Sequence, residues 1–121
     1  MFDIAYDAPA NIVRINVRGF WSPELVSQFA RAVGQTFQRA HTIRDDFDIL
    51  VDSTDFPVQA HDVADLLAEV MQGSMPLTSG RSAVVVGSHL NRLQAERTLI
   101  HPRVKVFAAL EAAQDWLKTM A

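Results

Sequence analysis

Four polar residues in a row, Asp52-Ser53-Thr54-Asp55, follow directly on the apolar run Phe47 to Val51. Open α/β sheets place their binding groups in the loop that leaves such a strand, so an acid and two hydroxyls here are the first candidates for chemistry. Two other places carry similar groups: Trp21 and Ser22 follow the alternating run Val13 to Val17, and Ser88 and His89 follow Ala83-Val84-Val85-Val86. If the three runs are neighbouring parallel strands, Trp21, Asp52, Ser53, Thr54, Ser88 and His89 gather at one edge as a candidate binding site. An acid, a hydroxyl and an imidazole together suggest a hydrolytic triad. Against it, Ser88 and His89 are adjacent in sequence and no Gly-x-Ser-x-Gly turn surrounds Ser53. Ser22 and Ser88 also read as helix caps, and Asp52 to Asp55 as a turn. No catalytic residue is assigned and no enzymatic activity is expected.

Other chemistry finds less support. His41, His61, His89 and His101 include no pair at i, i+4, and the chain has no cysteine, so no metal site is expected. Gly87 stands alone at a strand-to-helix turn, too little for a phosphate-cradling loop, and no cofactor is expected. A net charge of −3 argues against nucleic-acid binding, which needs a cationic surface. Arg92, Arg97, Arg103 and Lys105 make one region locally basic, either as a solvated face or as an anion or partner site. The acids near the N-terminus do not fit a signal peptide, and no apolar run approaches the ~20 residues of a membrane span. A cytoplasmic protein is expected.

The elements that must position these groups are legible from period and punctuation. Phe2, Ile4 and Tyr6 alternate with Asp3, Ala5 and Asp7, and Val13, Ile15 and Val17 with Arg14, Asn16 and Arg18, around the turn residues Asp7 to Asn11. This is an antiparallel hairpin with an acidic row opposite a basic one. Ser22-Pro23-Glu24 starts a helix whose stripe is Leu25, Phe29, Val33 and Phe37, ending near Ala40. Phe47 to Val51 is a strand covered on both faces, and Val63, Leu66, Leu67, Val70 and Met71 mark a second helix with Gly73 as its stop. Met71, Met75, Pro76 and Leu77 could line a variable groove, although core filling is the commoner use of methionine. Ala83 to Val86 is another doubly covered strand. A third helix runs from His89 to about Ile100, polar except for Leu90, Leu93, Leu99 and Ile100. Val104 and Val106 form an edge-like strand, and Leu110, Ala113, Leu117 and Met120, flanked by Trp116, the stripe of a last helix. The 121 residues make one α/β domain, with a mixed, mainly parallel five-stranded sheet, an N-terminal hairpin and four helices in the order β-β-α-β-α-β-α-β-α.

Over nearly its whole length this pattern resembles the STAS superfamily, the fold of the sporulation anti-sigma-factor antagonist. The resemblance is carried by Ile15 to Gly19, by Ile49-Leu50-Val51-Asp52-Ser53-Thr54, by Ala83 to Gly87, and by Val104 to Phe107 followed by Glu111 to Leu117. It implies a superhelical β/α sheet and a protein-interaction or regulatory role. In the family's best-understood branch a partner kinase phosphorylates a serine in an Asp-Ser-(Ser/Thr)-Gly motif, which nominates Ser53 and Thr54 here. Matching Val51 and Phe56 to the family pattern puts that motif near Val58 to His61, which has no hydroxyl and no glycine. Two functions follow as expectations. One is a non-enzymatic module that docks another protein, with a homodimer through an edge strand or the hairpin face as a variant. The other is a carrier holding a small apolar or lipid-like ligand between the sheet and the second and third helices, a use implied by related superhelical folds.

Overall fold

The computed structural model describes residues 1–119, so Met120 lies outside the described residues. Strands β1 (Phe2–Asp7) and β2 (Ile12–Val17) pair antiparallel, and β3 (Asp48–Ser53), β4 (Ser82–Val86) and β5 (Val104–Phe107) add in parallel in the order β1-β2-β3-β4-β5. The intervening helices are α1 (Pro23–Ile43), α2 (His61–Ser74), α3 (His89–Thr98) and α4 (Leu110–Lys118), with a 3-10 turn at Met75–Leu77. This is the expected α/β fold and element order. Each β-α-β pass joins neighbouring strands, so crossovers of one hand put α1, α2 and α3 on the same face. Only α4 covers the other face, where Ala113 and Leu117 pack on Leu50, Ala83 and Val85.

The local signals that read correctly have physical causes. The Ser22 hydroxyl accepts from the Leu25 N–H at 3.2 Å and Pro23 occupies the first turn, so α1 begins where its unpaired N–H groups are met. Val26, Phe29, Val33, Phe37 and Ala40 form its buried stripe. In the hairpin, Asp7 pairs with Arg14 at 3.2 Å and Asp3 with Arg18 at 2.9 Å. Both bridges are diagonal, because the register sets Asp7 opposite Ile12 and Asp3 opposite Asn16. They favour this register only slightly, since exposed pairs are worth roughly 0.2–1 kcal/mol.

Four boundaries differ from expectation, one of them the end of α3, which stops at Thr98 short of Ile100. Strand β3 starts at Asp48 and runs through Asp52 and Ser53, so the acid and the first hydroxyl belong to the sheet and not to the loop. Gly73 does not stop α2; the helix continues to Ser74, whose hydroxyl donates to the Val70 carbonyl at 2.7 Å, and then tightens into the 3-10 turn. Helix α1 passes Ala40 by three residues, and the Arg44 N–H closes its last turn on the Ala40 carbonyl.

Asp48 stands half-buried on the α4 face, its Oδ1 accepting from the Arg81 N–H at 2.9 Å. Burial raises its carboxyl above the usual range, against the opposing pull of that N–H and the Arg81 charge. A carboxyl whose pKa is raised on folding binds protons more readily in the folded chain, so its contribution to stability falls as pH climbs from 3.8 through the folded value. Asp48→Asn keeps the acceptor and removes the charge. The stability difference, variant minus wild type, is therefore expected to be more favourable at about pH 7 than at about pH 3.5 in urea unfolding; an equal difference at both would refute the assignment.

Candidate functional site

The C-terminal ends of the parallel strands do meet, and hydrogen bonds between loops hold them. The Gly19 N–H donates to the Asp55 carbonyl at 3.2 Å, joining the loop after β2 to the loop after β3. Gly19 has φ 77°, a conformation glycine adopts without the cost a side chain would add. Gln59, buried at 4 % exposure, does most of the joining. Its Oε1 accepts from the Trp21 N–H at 2.9 Å, and its Nε2 donates to the carbonyls of Gly19 at 3.0 Å and Pro57 at 2.8 Å.

Helix α3 completes the assembly from the other side. The Gln94 side chain pairs with the Gln59 backbone in both directions, accepting from its N–H and donating to its carbonyl, each at 2.9 Å. Asn91 donates to the Phe56 carbonyl, and the Ser88 hydroxyl caps α3 by accepting from the Asn91 N–H at 3.1 Å. Residues 57–60 belong to no helix or strand, and these two amides supply partners for backbone groups that a ladder would otherwise satisfy.

The six sequence candidates share this edge but do not converge on one point. Trp21 is buried, with its indole N–H on the Arg18 carbonyl at 2.8 Å and its ring between Phe29 and Phe56, so it is a core residue. Ser53 is buried on the face covered by α1, α2 and α3, and its hydroxyl donates to the Val85 carbonyl. Asp52 points to the opposite face, into a broad open groove with Asp3, Arg14 and Gln114. It also accepts from the N–H of Thr54 at 3.1 Å and from its hydroxyl at 2.6 Å, an Asx turn that closes the strand end. Thr54 is therefore the exposed hydroxyl of the pair nominated for phosphorylation. Ser88 and His89 are exposed at the start of α3. With acid and buried serine on opposite faces, the geometry offers no triad.

The basic cluster also separates. Arg103 turns inward and donates to the carbonyls of Met75, Thr78 and Gly80, at 3.1, 2.9 and 2.5 Å, holding the loop before β4. Arg92 pairs with Glu96 along α3, and Lys105 lies over the Phe107 ring on the α4 face. Among the described residues no group of three or more acids and histidines could hold a metal ion.

Two features emerge: the orientation of α3, which sequence reading did not assign, and a cavity between the sheet and the helices, the place that the carrier expectation named. Helix α3 is turned so that Asn91, Gln94, Ala95 and Thr98 face the sheet, while Leu90 and Leu93, and Ile100 two residues past its end, are 67, 50 and 68 % exposed. Behind its inner face lies a partly open cavity of about 130 Å³, bounded by α1, α2, α3 and the sheet, and walled by side chains such as Phe29, Leu67, Met71, Val84 and Leu99. The signal for the first was present as two helical stripes, one of amides and one of leucines. Their period does not say which one turns inward. Of the methionine and proline segment, Met71 and the fully buried Met75 both line the cavity, Leu77 is half-buried and Pro76 is exposed.

Among the described residues no helix is long and apolar enough to cross a membrane. No family model matches the chain and no curated protein matches it.

Proposed function

We propose that this chain is a non-enzymatic interaction or regulatory module, resembling STAS domains, that docks another protein through the outward face of α3 and the adjoining strand-end loops. The observation that supports it is the reversed polarity of α3. A surface helix normally turns its apolar stripe to the core, because each large side chain removed from water contributes roughly 1.5–3 kcal/mol. Here Leu90, Leu93 and Ile100 forgo that gain, and Phe20, 75 % exposed, and Val58 extend the apolar surface on the two loops that Gln59 ties to α3. Clusters of exposed large apolar side chains mark contact surfaces more often than single ones do.

The cavity bears on the carrier reading. At about 130 Å³ it falls below the ~300–1,000 Å³ of sites for drug-sized ligands, so a lipid chain does not fit with α2 and α3 in place.

Docking is tested with Leu93→Glu, on the side of α3 away from the core. Full-length protein is used as bait in its native cell, and the captured protein is purified and titrated. The variant is expected to bind it at least about tenfold more weakly, since central apolar contacts carry most of an interface's energy, with an unfolding midpoint within about 2 °C of wild type. Equal affinity for both proteins would overturn the reading.

A further inference from the structure

Close-packed interiors contain few voids larger than a water molecule, and the cavity under α2 and α3 exceeds that several-fold. We propose that it is a binding site for a small, uncharged, mainly apolar molecule of about the size of a substituted benzene, carrying at most one hydroxyl or carbonyl.

Size sets the first limit. A cavity of about 150 Å³ lined by leucine, isoleucine and phenylalanine stays dry and takes up benzene, and the one here, at about 130 Å³, is of that order. Charge sets the second. No acidic, basic or histidine side chain lines the cavity, so an ion entering it would lose its hydration without a partner.

The polar atoms of the wall set the third limit. The hydroxyls of Ser53, Ser74 and Thr98 already donate to backbone carbonyls, and the amides of Gln59, Asn91 and Gln94 are engaged with the loops. Ser82 differs. It faces the cavity from the start of β4 at 4 % exposure, and none of the side-chain hydrogen bonds described above uses its hydroxyl. One hydroxyl can serve one polar atom of a ligand. Entry has a route as well, because the cavity is partly open and Leu67, Val70 and Met71 of α2 are only partly buried over it. Methionine adapts to ligands of irregular shape.

Toluene and phenol, titrated into the full chain and followed by amide chemical shifts and thermal unfolding, test the site. Saturable shifts are expected for residues around the cavity, such as Leu67, Val84 and Ala95. A rise in melting temperature of about 5 °C is expected once toluene reaches about ten times its Kd. Ala64→Leu and Val84→Ile each place extra carbon in the cavity from opposite walls, and at least one should fold and lose the toluene response. Ser82→Ala should weaken phenol about fivefold and leave toluene unchanged, the size of one hydrogen bond. Absence of saturable toluene shifts in wild type, or undiminished binding in a folded filled variant, would overturn the site. Unchanged phenol affinity in Ser82→Ala would overturn the polar end of the ligand. Docking is a separate matter: Leu93→Glu changes the other side of α3 and should bind toluene as wild type does.

Discussion

Phe47→Ala is expected to cost about 3–5 kcal/mol of stability, lowering the melting temperature by roughly 10–20 °C, the largest loss from any single truncation in this core. Phe47 is fully buried just ahead of β3, its ring set edge-on to Phe37 at 5.2 Å and to Tyr6 at 6.3 Å. It therefore joins α1 and the hairpin to the entrance of the central strand. Removing the ring leaves a void that cannot easily collapse, because the backbone at this point is pinned. The Phe47 carbonyl accepts from the Thr78 hydroxyl at 2.5 Å, and Gly80 packs against that same carbonyl so closely that a Cβ would overlap it. Urea unfolding followed by circular dichroism measures the loss. A cost below about 1 kcal/mol would mean that the surrounding side chains refill the space and that the packing described here is not maintained.

The second large effect lies at the other end of β3. Gly87→Ala should destabilise by about 2–3 kcal/mol, although Gly87 is exposed and alanine is small. The cause is a backbone contact: a Cβ at Gly87 would overlap the carbonyl of Thr54, and neither chain segment can turn aside as a flexible side chain would. The turn from β4 into α3 and the turn closed by Asp52 are thus nested, and separating them strains the Asn91 and Gln94 bonds to residues 56 and 59. Gly34→Ala provides the contrast. Position 34 is in the interior of α1 with open space around it, so the same substitution there should stabilise by about 0.5–1 kcal/mol through helix propensity. Loss at 87 with gain at 34 is the expected pair of results in thermal unfolding; a gain at both would show that the loops move apart freely.

These two ends frame what the strand-end loops can do. Hydrogen bonds from Gln59, Gln94 and Asn91 give the edge a defined shape without any titratable group at its centre. Helix α3 stands between the proposed docking face and the proposed cavity, so each change made on one side can be read against the other.

Strand and helix order, the capped start of α1, the hairpin with its opposed charges and the central place of the third strand all follow from residue type and spacing. Each is set by interactions over a few residues: a serine oxygen meeting an N–H three positions on, a period of two or of 3.6, a turn of asparagine and proline. The fate of the candidate site did not follow. Asp52 and Ser53 are neighbours in sequence, yet the pleat sends them to opposite faces, and continued pairing with β4, Ser53 opposite Val86, draws Ser53 into the sheet. Gln59 looks like any loop glutamine until the loop after β2 is brought beside it. On α3 the stripe Asn91-Gln94-Ala95-Thr98 and the pair Leu90-Leu93 both have helical spacing, and hydrophobicity alone would have turned the leucines inward. Tertiary structure decided otherwise, because backbone N–H and carbonyl groups of the loop after β3 lie against that helix and need amide partners, a demand set by segments some 35 residues away in the chain.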